Sequence, residues 1–550
     1  MWAASFHGGH GGHGGHGRHA RPVVRRAAPA GQRGSGRIRA DQGRFPRLAV
    51  MSTALERVID ASREASLLES TASILGWDQE TMMPVGGIEL RSKQLAQLAR
   101  MRHELFTSKA MGDMIGSAEA AVAKGSADEA LVRELRRDYD RDTKLPAKLV
   151  EELASVSSSA QHEWAEARKA SDFNRFRPWL ERLVHLNREK ARCYGIPAGG
   201  ETWDALADGY EPGCRAADVE RVFRPLREQL TGFIDRLMAS PIKPSNRFNE
   251  TAIAIDRQER FVRVVAESIG FDFSRGRLDR STHPFCGGSH CNDVRMTTRY
   301  LETCVNDALG STMHEAGHGM YEQGLPSAWI GTPLGQAVSL GIHESQSRLW
   351  ENQVGRSRAF WSWAAPKLPE MLGDAARGFS LDELYGAANI VERGFIRVEA
   401  DEATYNLHVM VRFEIERKLI GGQMEVADLP STWNRLYREI VGVEVPDDRR
   451  GCLQDVHWSM GAFGYFPTYT LGTLYAAQFF EAASKAIPGL EAGIARGEFK
   501  PLLDWLNANI HAHGRRYLPG ELCERVTGKP LSSEPYLAYL KGKLSPLYGL

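Results

Sequence analysis

The chain has 550 residues, with 69 Lys+Arg against 69 Asp+Glu, 42% hydrophobic and 25% charged side chains, which is the balance of an ordinary globular protein. That neutrality hides an asymmetry: residues 1–50 hold nine Arg and one acid, Asp41, leaving 60 basic and 68 acidic side chains to the other 500. An acidic body with a basic extension excludes a nucleic-acid binder, whose positive charge belongs on the folded surface, and 500 residues exceed what one core usually serves, so two lobes are expected.

Residues 1–50 are rich in Gly, Ala and Arg and show no apolar periodicity, so they cannot bury enough surface to fold alone. They also lack the apolar stretch of about 7–15 residues that a secretory signal needs. An Arg-rich, acid-poor leader predicts an organellar address, chloroplast or mitochondrion, and a cytoplasmic protein if translation starts at Met51. The HGGHGGH repeat within it reads as a solvated tail with at most weak metal affinity.

From Ser52 the pattern changes. Leu55, Val58, Ile59, Leu67, Leu68 and Ile74 recur at helical spacing, and Arg91–Met111, Glu151–Glu189, Ala217–Ala239 and Gln258–Ile269 continue in that style. Punctuation comes from Pro and Gly, as in Pro84–Gly87, Pro197–Gly200 and Pro241–Pro244. Alternating runs are rare. The expected fold is all-α, with at most a small sheet, in two lobes around a cleft, and residues 51–550 form one domain. The string from Trp77 to Pro84 reads as packing.

The sharpest feature is His314-Glu315-Ala316-Gly317-His318. Histidines at i and i+4 share one helix face, so both imidazoles can reach a single cation, and the Glu at i+1 can take a proton from its water. Roughly 0.03 such matches are expected by chance in a chain of this composition. A catalytic metal needs a third ligand. The metzincin pattern would place Gly at 321 and His at 324, but the chain has Tyr321 and Gly324. Glu322 at i+8 lies about 12 Å along the axis, too far to converge. Glu344, 26 residues beyond His318, is a later carboxylate that an antiparallel helix would return to the site, although a helical Glu is more often simply solvated.

Two further features are read by what they lack. Trp458–Phe480 is the longest run free of charge and His, yet its Gly, Pro, Thr and Tyr content suits buried interior rather than a membrane span. Seven scattered cysteines without a CxxC pair support neither a disulfide framework nor a cysteine metal site.

From about Met51 to Leu550 the motifs stand in a familiar order: His283-Pro284-Phe285; Asp293, Arg295 and Thr297; HEAGH at 314–318; HESQ at 343–346; IRVEAD at 396–401; and Gly451, Gln454, Asp455, His457 and Trp458. In this the chain resembles the carboxypeptidase Taq family of metallocarboxypeptidases. The resemblance implies that Glu344 is the third ligand to one divalent metal, Zn²⁺ or Co²⁺, and that Glu315 is the general base. It implies broad C-terminal exopeptidase activity, poor on a terminal Pro, and a homodimer acting on peptides, with no membrane or nucleic-acid partner.

Read physically beside it, Arg397 looks like the planar fork for a terminal carboxylate, with Arg295 as the second candidate and His283 as a cleft-lining residue. His457 and Tyr469 are expected to donate to the oxyanion, with the run 458–480 as one cleft wall. The alternative is an endo-acting or dipeptide-releasing oligopeptidase sharing the same metal motif.

Overall fold

In the computed structural model, which describes residues 53–550, Thr53 opens the first helix: its hydroxyl accepts the Glu56 N–H and the Glu56 carboxylate accepts the Thr53 N–H. The basic leader, and the organellar address and alternative start drawn from it, lie outside the described residues. Helices α1 (Ala54–Thr81), α2 (Ile88–Phe106), α3 (Lys109–Glu119) and α4 (Ala127–Thr143) form an N-terminal unit. Val58, Phe106, Met111, Ile115, Leu131 and Leu135 give it a small core of its own. Helices α5 (Ala147–Ala170), α6 (Phe173–Tyr194), α8 (Ala216–Ala239) and α9 (Ile255–Ile269), with short α7 (Thr202–Ala207) between α6 and α8, begin the second and larger core.

Two expected helices prove to be pairs. Ser108 ends the run 91–111 by capping α3 through the Met111 N–H. Ser171, at φ 55°, ends α5 and hands over to Asp172, which caps α6. Local capping chemistry thus overrides an apolar repeat that runs on through the break.

The expected small sheet has three strands, β1 (Gly276–Arg280), β2 (Cys286–His290) and β3 (Asp293–Thr298), in the order β1-β3-β2, with β1 parallel and β2 antiparallel to β3. Trp77 at the end of α1 is buried against it, between the guanidiniums of Arg277 and Arg295, each 4.7 Å from the ring. The packing role expected of its string holds for Trp77, whereas Met82 and Pro84 at the end of the string are exposed.

Helix α10 (Val305–Gly324) follows, then α11 (Leu340–Arg348), whose rod continues as a π-helical stretch over Leu349–Gly355. Short helices α12 (Arg358–Ala364), α13 (Leu368–Leu372) and α14 (Leu381–Ala387) lead to α15 (Tyr405–Gly421), α16 (Leu429–Leu436) and α17 (Pro467–Ala486), and four more helices close the chain. Among the described residues no helix is long and apolar enough to cross a membrane. The charge-free run covers the loop before α17 and that helix as far as Phe480, and α17 packs chiefly against α11.

Candidate metal centre and its surroundings

Helices α10 and α11 approach closely at Gly317, where a Cβ would lie 2.5 Å from the Gln346 carbonyl oxygen. On the opposite side α17 offers Gly472, whose added Cβ would lie 2.5 Å from Cβ and Cγ of Glu344. Two glycines therefore make the slot in which Glu344 reaches the histidines of α10. Glu344 Oε2 lies 3.7 Å from His314 Nε2 and 3.5 Å from His318 Nε2, and the ligand atoms of all three residues lie within 4.8 Å of one another. Donors about 2.0–2.2 Å from a tetrahedral ion stand about 3.4 Å apart. The three side chains fit one small divalent cation.

The remaining hydrogen bonds support that fit. His314 Nδ1 pairs with Glu351 Oε2 at 2.9 Å. His318 Nδ1 lies 3.1 Å from the His343 carbonyl and 2.5 Å from His343 Nδ1, and His343 Nε2 meets Glu322 Oε1 at 2.8 Å. With both Nδ1 atoms occupied, the Nε2 atoms face the shared carboxylate oxygen, as a metal site requires. Arg348 donates from Nε to Glu344 Oε1 at 2.7 Å and from Nη1 to Glu351 Oε2 at 3.1 Å, and Arg356 holds the other oxygen of Glu351 at 3.0 Å.

The electrostatics follow from this geometry. Burial works against a charged Glu344, yet Arg348 and the two histidines overcome it and hold the carboxyl well below its usual range. Glu351 is held down likewise by Arg348, His314 and Arg356. Burial pushes the imidazolium of His318 down to about 3, with His343 adding to the effect, so it stays neutral and able to bind a cation. His314 moves up, because Glu344 and Glu351 outweigh its burial. Glu315 is buried beside them. Burial, reinforced by Glu344 and Glu351 against His314, lifts its carboxyl to about 7.

Tyr469 lies one turn before Gly472 on α17, on the same face. Its hydroxyl is 3.2 Å from His457 Nε2, and Tyr465 and Phe466 flank that imidazole. Burial keeps the phenol protonated, so it can donate. The two residues expected at the oxyanion are thus neighbours on the wall that carries Gly472.

The arginines expected as forks already have carboxylates. Arg397 is buried, with Nε 2.9 Å from Asp455 Oδ1 and Nη1 2.8 Å from the Tyr405 hydroxyl. Arg412 takes the other Asp455 oxygen at 2.7 Å, and Gln454 Oε1 accepts the Arg397 N–H. IRVEAD and the Gln454–Asp455 string are one structural unit. Arg295 is bidentate to Asp293 at 2.8 and 3.0 Å, and Thr297 exchanges backbone and hydroxyl bonds with Phe285, which joins its motif to the one at His283. His283 is half-buried, and burial with Arg299 and Arg168 nearby lowers its pKa.

Sequence reasoning passed over Glu351, Arg348 and Tyr405. Arg348 is four residues after Glu344, a visible helical pair. Glu351 at i+7 would share that face in a regular helix, but it stands in the π-helical stretch, and nothing in its sequence surroundings signals His314.

Comparison with known proteins gives concordant results. The family model described as Carboxypeptidase Taq (M32) metallopeptidase matches residues 57–544. Thermostable carboxypeptidase 1 of Thermus thermophilus is 45% identical over 509 residues, covering 90% of this chain and 99% of the relative. Carboxypeptidase 1 of Bacillus subtilis is 36% identical, covering 89% and 97%. The crystal structure of an M32 carboxypeptidase from Deinococcus radiodurans superposes with a TM-score of 0.88 at 41% identity, over 91% of this chain and all of that one.

Proposed function

The chain belongs to the carboxypeptidase Taq (M32) metallopeptidase family, and from that premise we propose that it releases single C-terminal residues from peptides, with one divalent cation held by His314, His318 and Glu344. Metallocarboxypeptidase activity comes with the family; the residue roles, the choice of Zn²⁺ over Co²⁺, broad specificity with poor cleavage of a terminal Pro, and a homodimeric state are our reading. The convergence of His314 Nε2 and His318 Nε2 on Glu344 Oε2 beside buried Glu315 carries it.

A bound cation of this kind supplies Lewis-acid polarisation of water and of a peptide carbonyl. Glu315 takes the proton of the attacking water on its carboxylate and delivers it to the leaving amine nitrogen. His457 and Tyr469 donate towards the carbonyl oxygen as it gains charge. Arg348 and Glu351 hold the ligand set in register from behind. Arg397, Arg295 and His283 stand on the substrate side in our reading, the two arginines with their own carboxylates already engaged.

The test compares the metal-loaded protein with Glu315→Gln on a free-acid peptide and its C-terminal amide, with products read by mass spectrometry. Stepwise trimming of the acid alone is expected, with kcat reduced by roughly 10³-fold in Glu315→Gln while the metal is retained. Internal cleavage, or equal cutting of the amide, would favour the oligopeptidase alternative.

A further inference from the structure

A guanidinium that is to bind a terminal carboxylate must not already be neutralised by a carboxylate of the protein, because an ion-paired fork offers little to a newcomer. Arg397 and Arg295 do not meet that condition. Arg299 fails it too, being bidentate to Asp307 at 3.0 Å on both arms.

Arg168, in the last turn of α5, meets it. Its Nε–H is buried without an acceptor, and among the described residues its guanidinium makes no hydrogen bond or ion pair with a carboxylate or carbonyl. Arg102, Arg356 and Arg393 also bury an Nε, but each has an acid on another nitrogen, respectively Asp142, Glu351 and Asp235. Capping the helix dipole does not explain a half-buried guanidinium, since its exposed neighbour Lys169 already serves that end.

The location is tied to the proposed site. One turn earlier on α5, the Trp164 indole donates to the Leu453 carbonyl at 3.0 Å, fixing the helix to the strand of chain that carries Asp455 and His457. The Trp164 ring flanks Arg168 at 5.8 Å. Asp455, Glu399, Arg449 and His283 are its electrostatic neighbours. Asp455 is already bonded to Arg397 and Arg412, so four arginines surround two carboxylates. The patch has an excess of positive charge, and burial with Arg449 nearby makes the cation at Arg168 less favourable than in water. An arriving anion relieves both costs.

We infer that Arg168 is the guanidinium that takes the α-carboxylate of the peptide's last residue, with His283 on its flank, while Arg397 acts through Asp455 as a positioning residue. This rests on the exopeptidase reading and names the group that enforces it. Arg168 would touch substrate without touching the reacting carbonyl, so it contributes binding that is equal in the ground and transition states. Such binding moves KM and leaves kcat nearly alone.

The experiment measures kcat and KM of the full chain, loaded with Zn²⁺, on a blocked peptide of neutral side chains as free acid and as amide. It is run for the wild type, Arg168→Ala and Arg168→Lys. The expected result is a KM on the free acid raised roughly 30- to 100-fold in Arg168→Ala, an intermediate rise in Arg168→Lys, and kcat within about 3-fold of wild type. Millimolar guanidinium chloride should restore part of the lost affinity in Arg168→Ala and do nothing for wild type. If wild type trims the acid only, and KM is unchanged or kcat falls with KM without guanidinium rescue, the assignment of Arg168 is overturned while the exopeptidase reading stands. A KM effect confined to peptides ending in Asp or Glu would also overturn it, by moving the contact to a side chain. If wild type cuts the amide as readily as the acid, both fall together.

Discussion

Glu344 shows how much of the proposed metal site is decided one side chain at a time. Its Oε2 faces two imidazole Nε2 atoms while its Oε1 is held by Arg348, so the carboxylate is oriented before any cation binds. His314 is oriented just as firmly, by Glu351, and Glu351 is fixed in turn by Arg348 and Arg356. Partners that hold a ligand in this way are typically worth about 10- to 100-fold in metal affinity. Glu351→Gln keeps the shape and loses the charge, so Zn²⁺ affinity is expected to fall by that factor. Competition with a chelator measures it. Unchanged affinity would mean that Glu351 serves the fold and not the metal.

At the scale of elements, the decisive feature is how closely α10, α11 and α17 approach one another. Gly317 and Gly472 are not needed for unusual backbone angles; they are needed because the neighbouring helix occupies the space a methyl group would take. In Gly472→Ala the new Cβ meets the stem of Glu344, and the facing segments of both helices are buried, so neither side can yield cheaply. A loss of about 1–3 kcal/mol in stability is expected, together with weaker metal binding as Glu344 is pushed from its slot. Thermal melts with and without Zn²⁺ separate the two effects: the stabilisation gained on adding metal should shrink in Gly472→Ala and not in a control such as Gly542→Ala, whose surroundings are open. The π-helical stretch after α11 acts at the same scale. It carries Glu351 to His314, and nothing in the surrounding sequence marks the change from the regular helix.

Across the whole molecule, distant segments are tied by buried polar groups whose protonation depends on pH. Glu416 on α15 accepts the Trp458 indole at 2.9 Å, the Gly464 N–H at 3.0 Å and the Trp203 indole at 3.2 Å, linking α7 to the loop that carries His457. Burial outweighs these neutral donors and raises its carboxyl to about 7 from the ordinary 4.5. The folded state therefore holds a proton that the unfolded chain releases above pH 4.5. That stability is fully present below 4.5 and is lost as pH rises through about 7, by up to ~3 kcal/mol. Glu211, buried on the Gly341 N–H, is raised to about 7 and adds in the same direction. Buried histidines such as His318 and His511, whose imidazoliums are disfavoured, titrate in the opposite sense, so the contribution is read by difference: the penalty of Glu416→Gln in melting temperature relative to wild type should be larger at pH 5 than at pH 8.

How far the sequence reached can be seen by following single residues. His314, Glu315 and His318 were legible because i and i+4 on one helix is a local relation, fixed by backbone geometry whatever surrounds it. The all-α class, the small sheet and the packing role of Trp77 were legible too, from periodicity and from a motif order that resembles a family. Spacing could only nominate Glu344; resemblance chose it, and the glycine slots at 317 and 472 give the physical reason it fits. The pairing of Arg397 and Arg412 on Asp455, the hold of Glu351 on His314 and the unpartnered state of Arg168 were decided by tertiary structure. Whether a buried charge has a partner depends on segments tens or hundreds of residues away, brought together by the burial of apolar surface, and no local pattern in the chain records that meeting.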